Sequence, residues 1–111
     1  MEYKHLPSIQ IGGHFYNLIL KDAATVDENG HNCGDSCQAN LEIRSATKLV
    51  DGTPRGLSAI EETFWHEILH QIDKVYAAKE SLDEGDIERL AQGLYQVCNQ
   101  LGWHIVETVD S

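Results

Sequence analysis

The segment Thr63-Phe64-Trp65-His66-Glu67-Ile68-Leu69-His70-Gln71-Ile72-Asp73 contains the pattern His-Glu-x-x-His. On a helix, His66 and His70 lie one turn apart and share a face. Two imidazoles so placed suit one zinc ion, at about 2.0–2.1 Å per nitrogen. Glu67 follows the first histidine, where its carboxylate is able to take a proton from a zinc-activated water. Together these residues point to metal-assisted hydrolysis of a peptide bond. The competing explanation is a chance match on an amphipathic helix, and the helix pattern weighs against it. Ile60, Phe64, Ile68, Ile72 and Val75 form one apolar stripe, widened by Trp65, Leu69 and Tyr76. His66, His70 and Asp73 fall on the opposite side, away from the expected core.

A catalytic zinc needs a third protein ligand and an open position. The metzincin pattern would require glycine at position 73 and histidine at 76, where this chain has Asp73 and Tyr76. Asp73, one turn beyond His70, could itself ligate, or accept a hydrogen bond that orients an imidazole. A carboxylate on the following helix, the gluzincin arrangement, is the remaining source. There Glu88 lies on the flank of the apolar stripe and is the first choice. Glu84 is one turn earlier on that flank, and Asp86 lies on the other. Each acidic residue has an alternative role as solvated surface or as favourable charge near a helix N-terminus. A donor to a developing oxyanion is also needed; Tyr95 is the first candidate, with His104 and Tyr76 behind it.

The elements that must position these groups follow from periodicity. Residues 1–20 read as a β-hairpin: Ile9 and Ile11 alternate with Ser8 and Gln10, Gly12-Gly13 punctuates, and an apolar extended run resumes at Phe15. Lys21 to Asn32 is polar and turn-rich, with Asp27-Glu28-Asn29-Gly30 the expected turn. Cys33-Gly34-Asp35-Ser36-Cys37 has no second cysteine pair to complete a structural zinc site; it reads as loop carrying ordinary thiols, with a second metal site or a redox pair beside His31 as the alternative. Ala39 to Ser45 is the next strand, with a short extension at Leu49 and Val50. Asp51-Gly52-Thr53-Pro54-Arg55-Gly56 is a turn. Ser58 and Glu61 form a capping box for a helix over 59–79. A second helix starts at Asp83 or Gly85 and reaches about Gln100, with core positions Ile87, Leu90, Ala91, Leu94, Cys98 and Leu101 and with Gly102 at its C-terminal end. Residues 103–109 have room for a final extended segment or for a tail packed on the surface. The expected architecture is α+β: a small, mostly antiparallel sheet of three or four strands packed against two main helices.

The chain has 111 residues, the size of one domain with a modest core, and 41% of them are hydrophobic. Its formal charge is −10, with 18 acidic and 8 basic residues. That balance argues against direct contact with nucleic acid or an anionic membrane, both of which need a basic footprint. No apolar run approaches the roughly 20 residues of a membrane span. The start Met1-Glu2-Tyr3-Lys4-His5-Leu6-Pro7 lacks an apolar signal core. Three cysteines without an export signal fit a reducing cytoplasm.

The run Glu61-Glu62-Thr63-Phe64-Trp65-His66-Glu67-Ile68-Leu69-His70, followed by Ile87-Glu88-Arg89-Leu90-Ala91-Gln92-Gly93-Leu94-Tyr95, resembles small zincin-like proteins of bacterial phages and mobile elements. These lie near the ImmA/IrrE-type metallopeptidases, and Ile9-Gln10-Ile11-Gly12-Gly13-His14-Phe15-Tyr16 is similar to their opening hairpin. The resemblance implies zinc held by His66, His70 and an acidic residue of the later helix, with Glu67 as the base. Larger members carry Glu-Ala-Asn/Asp-x-Phe-Ala there; aligning its last alanine with Ala91 puts Asp86 at the glutamate position. The function expected is zinc-dependent hydrolysis of a protein or peptide, which would pair with the strand edge near Leu41–Ile43. A metal-stapled regulatory module without turnover is the alternative, and an interaction protein drawn to a basic partner is a third class.

Overall fold

The computed structural model describes residues 2–27, 30–37, 39–77 and 82–109. It stacks a four-stranded sheet, helix α1 (Leu57–Tyr76) and helix α2 (Glu84–Gln100) in that order. The α+β expectation holds, with one refinement: only α1 lies on the sheet, and α2 packs on α1.

Strands β1 (Tyr3–His5), β2 (Ser8–Ile11) and β3 (His14–Lys21) open the chain. The β2–β3 hairpin turns through Gly12 and Gly13, with Ile11 paired to His14. Gly12 has φ +63°, as the first central position of a two-residue hairpin turn requires. A Cβ there would also meet Val75 Cγ1 at 2.9 Å. Along β3, Tyr16 and Leu18 point into the core while Phe15 and Asn17 face outward. The polar stretch read as turn-rich instead forms a ribbon, β4 (Thr25–Asp27) against β5 (Gly30–Asn32), around the expected turn. Two residues of that turn, 28 and 29, lie outside the described ones.

The largest departure is β6 (Gly34–Cys37). Read as loop, it is a strand hydrogen-bonded antiparallel to β7 (Glu42–Ala46), giving the order β2-β3-β7-β6. β3 and β7 run parallel; the other two pairings are antiparallel. Cys33 and Cys37 are free thiols. An extended chain separates them by roughly 13 Å, beyond the reach of a disulfide. β7 starts at Glu42 rather than Ala39 because the chain turns through Leu41, whose φ of 53° is incompatible with a strand. Leu49 and Val50 extend nothing; they belong to a turn closed by a bridge between Lys48 and Pro54.

The capping box does not form. α1 begins at Leu57 after Gly56, with no side-chain cap. Glu61 is buried instead, accepting the Ile105 backbone N–H at 3.1 Å and facing His104 Nδ1 at 3.5 Å. Arg55 clamps this end: it donates to Ala46 O (2.6 Å), Ala59 O (3.0 Å) and Thr63 Oγ1 (2.6 Å). Ile60, Phe64 and Ile68 are core residues as expected, but the stripe then drifts. At 3.6 residues per turn its centre reaches Gln71, fully buried, and leaves Ile72 and Tyr76 37% and 66% exposed. The helix ends at Tyr76, short of the expected 79, and residues 78 and 79 lie outside the described ones. On α2, Ile87, Ala91 and Cys98 are buried, whereas Leu90 and Leu101 are about half exposed and belong to no core. Asp83 caps it by accepting the Asp86 N–H at 2.7 Å, and Gly102 (φ +76°) ends it as expected. β8 (Val106–Thr108) pairs with β1, the extended alternative for the final segment. Among the described residues, no helix is long and apolar enough to cross a membrane.

α1 lies on β6 and β7, and it approaches closely at Gly34. A Cβ on Gly34 would meet Thr63 Cγ2 at 2.3 Å and the Arg44 carbonyl oxygen at 2.9 Å. Gly34→Ala is therefore expected to destabilise the fold by about 1–3 kcal/mol, as overpacking does. Urea unfolding monitored by circular dichroism measures it; an unchanged midpoint would refute the close approach.

Candidate metal centre

The mid-section of α1 carries His66, Glu67 and His70, and one ligand atom from each lies within 4.8 Å of the others. The two Nε2 atoms are 3.1 Å apart and the rings meet edge to face at 65°. Two nitrogens bound to one tetrahedral zinc would stand about 3.3 Å apart, so this spacing suits a shared ion. The start of α2 brings Glu84 against them. One carboxylate oxygen contacts His66 Nε2 and the other lies 3.0 Å from His70 Nε2. Three donor side chains thus converge.

Glu88, the first choice from sequence, lines the same cleft one turn further along α2, and Glu84 is the carboxylate brought to the imidazoles. The reason is where α2 begins: its first turn, not its second, lies over the histidine pair. Asp86 is paired with Arg89 at 2.5 Å. Asp73 faces the chain before α2: both its oxygens accept the Leu82 backbone N–H, at 3.2 and 3.1 Å. Tyr95, Tyr76 and His104 do not line the cleft, and His104 faces Glu61 on another side of α1.

Glu67 is held from the sheet side. Tyr16 Oη donates to Gln71 Oε1 (3.3 Å), Gln71 Nε2 donates to Ser36 Oγ (2.7 Å), and Ser36 Oγ donates to Glu67 Oε1 (3.1 Å). Tyr16 and Gln71 are fully buried. All three bonds run in one direction and end on one oxygen of the carboxylate. Glu67 Oε2 is left out of this chain. Burial pushes the Glu67 carboxyl above the usual carboxylate range. The Ser36 hydrogen bond and the two imidazoles pull it back in part, and the Glu84 charge adds to the rise. A carboxyl whose charged form burial disfavours is suited to accepting a proton.

Sequence reading missed Ser36, Gln71 and Tyr16. The available signal was the alternation of small Gly34 and Ser36, which puts both on one face of a strand. The cleft has a volume of about 660 Å³, with Cys33 and Gly34 on one wall and α1 on the other. Four carboxylates line it (Glu62, Glu67, Glu84 and Glu88), together with Arg55. The strand expected to offer a free edge, β7, lies between β3 and β6; among the described residues the outer edge beside the cleft belongs to β6. No protein-family model, curated protein or solved structure matches the chain.

Gln71→Leu should cost about 1–3 kcal/mol, because the buried Tyr16 hydroxyl loses its acceptor. In that background Tyr16→Phe should cost little more, the signature of two members of one network. Denaturant unfolding of the two single variants and the double variant checks this, and simple additivity would contradict it.

Proposed function

We propose that the protein is a zinc-dependent peptidase of the gluzincin kind, akin to the ImmA/IrrE-type metallopeptidases. The observation that carries this reading is the convergence of both His Nε2 atoms and the Glu84 carboxylate beside Glu67. The donor set fits the ion. Two imidazole nitrogens 3.1 Å apart need a proton or a cation between them, and two nitrogens with one carboxylate is a catalytic zinc set. His66, His70 and Glu84 would hold the metal. When bound, zinc supplies a Lewis acid that acidifies water and polarises a carbonyl. Glu67, fixed through Oε1 by Ser36, accepts the proton of the attacking water and returns it to the leaving amine. An extended peptide pairs with the outer edge of β6 and passes the histidines. The substrate is a protein or peptide, and the three free thiols favour a reducing compartment such as the cytoplasm.

The half-exposed Leu90, Val97 and Leu101 on α2 favour a second reading, a zinc-stapled module that binds a partner without turnover. Glu67→Gln separates the two.

Elemental analysis after identical purification should find one zinc per chain in wild type and none in His66→Ala. Zinc should be reduced in Glu84→Ala and nearly unchanged in Glu88→Ala. Wild type without zinc, even after zinc is added, would end the metal reading. Glu67→Gln should keep zinc while cleavage of a quenched fluorescent peptide library falls by about 10²–10⁴-fold, the usual worth of a general base. Cleavage equal to wild type would end the peptidase reading.

A further inference from the structure

We infer that Asp73 is a positioning residue of the metal centre: its carboxylate ties down the start of α2 and so holds Glu84 over His66 and His70. This rests on the zinc reading above and assigns Asp73 a role within it. His66, His70 and Asp73 follow one another along one side of α1. The first two turn towards Glu84, and the third turns to the backbone just before it. Both Asp73 oxygens accept the Leu82 N–H, at 3.2 and 3.1 Å. Leu82 precedes the cap Asp83, and Glu84 is the first residue of α2. Two carboxylate–amide contacts therefore bracket Glu84, one from α1 to residue 82 and one from Asp83 to the Asp86 N–H at 2.7 Å.

Among the described residues, burial does little to fix Glu84. The Glu84 side chain is 66% exposed, Leu82 is 44% exposed, and the first buried contact of α2 is Ile87. The first turn of a helix has no intrahelical partners for its amides and frays unless something holds it. A partner outside α2 is needed to place a metal ligand at its first position, and Asp73 is that partner. It does so without touching an imidazole, so its effect on the metal passes through Glu84.

The test is zinc affinity, measured by competition with a chromophoric chelator. Circular dichroism of each metal-free variant verifies the fold. Asp73→Ala should bind zinc roughly 10-fold more weakly, within the range typical of residues that orient ligands. Asp73→Asn keeps an acceptor for Leu82 and should recover most of that loss. In a Glu84→Ala background, Asp73→Ala should change affinity less than about twofold, since there is no longer a ligand to position. Unchanged affinity in Asp73→Ala would overturn the inference and leave the zinc centre standing. An equal loss with and without Glu84 would also overturn it, because Asp73 would then act by another route. Absence of zinc from wild type would overturn the inference together with the reading beneath it.

Discussion

The contact between Gly34 and the Thr63–Glu67 turn of α1 is the constraint on which the site depends. With no side chain at position 34, β6 lies so close to the helix that a single methyl group would overlap Thr63 and the Arg44 carbonyl. That approach brings Ser36 within hydrogen-bond distance of Glu67, two residues along the same strand face. It also places Cys33 and Gly34 as one wall of the cleft. A larger residue would push the strand off the helix, separating the carboxylate from the Ser36 hydroxyl. Close packing thus does more here than stabilise; it sets which way the carboxylate faces.

Two carboxylates on α1 show how differently the fold treats the same side chain. Glu61 has the Ile105 amide and the His104 ring as neighbours and ties the C-terminal segment to the helix. Glu67, six residues later and on the cleft side, is also largely withdrawn from water, and it accepts a hydrogen bond from Ser36. The first is a structural tie. The second carries a charge that burial disfavours, which is the condition of a group that exchanges protons. Sequence proximity to the histidines marks only Glu67, and the fold gives that mark its physical content.

Much of the frame is legible without coordinates. The opening hairpin, the histidine-bearing helix and the second helix follow from period and punctuation. β6 does not, because Gly-Asp-Ser-Cys lacks the branched and aromatic residues that announce a strand; its inward positions are small or polar since they face Glu67 and not apolar core. Gln71 was hidden for a related reason: counting only apolar residues pulled the stripe towards Ile72, although helical geometry points to position 71. The choice between Glu84 and Glu88 is one turn of helix, and it depends on where α2 starts over α1. A connecting segment decides that, and no periodicity reports it.

The buried chain from Tyr16 through Gln71 and Ser36 to Glu67 has a consequence for heredity and for engineering. Its members come from the first hairpin, an edge strand and a helix, far apart in sequence and adjacent only after folding. The five-residue motif is portable as letters, but the carboxylate's orientation is not. Transplanting this chemistry to another scaffold would mean moving a strand, a helix and the core hydroxyl beneath them as one unit, and drift at Tyr16 or Gln71 would be felt at the cleft without altering a single residue of the motif.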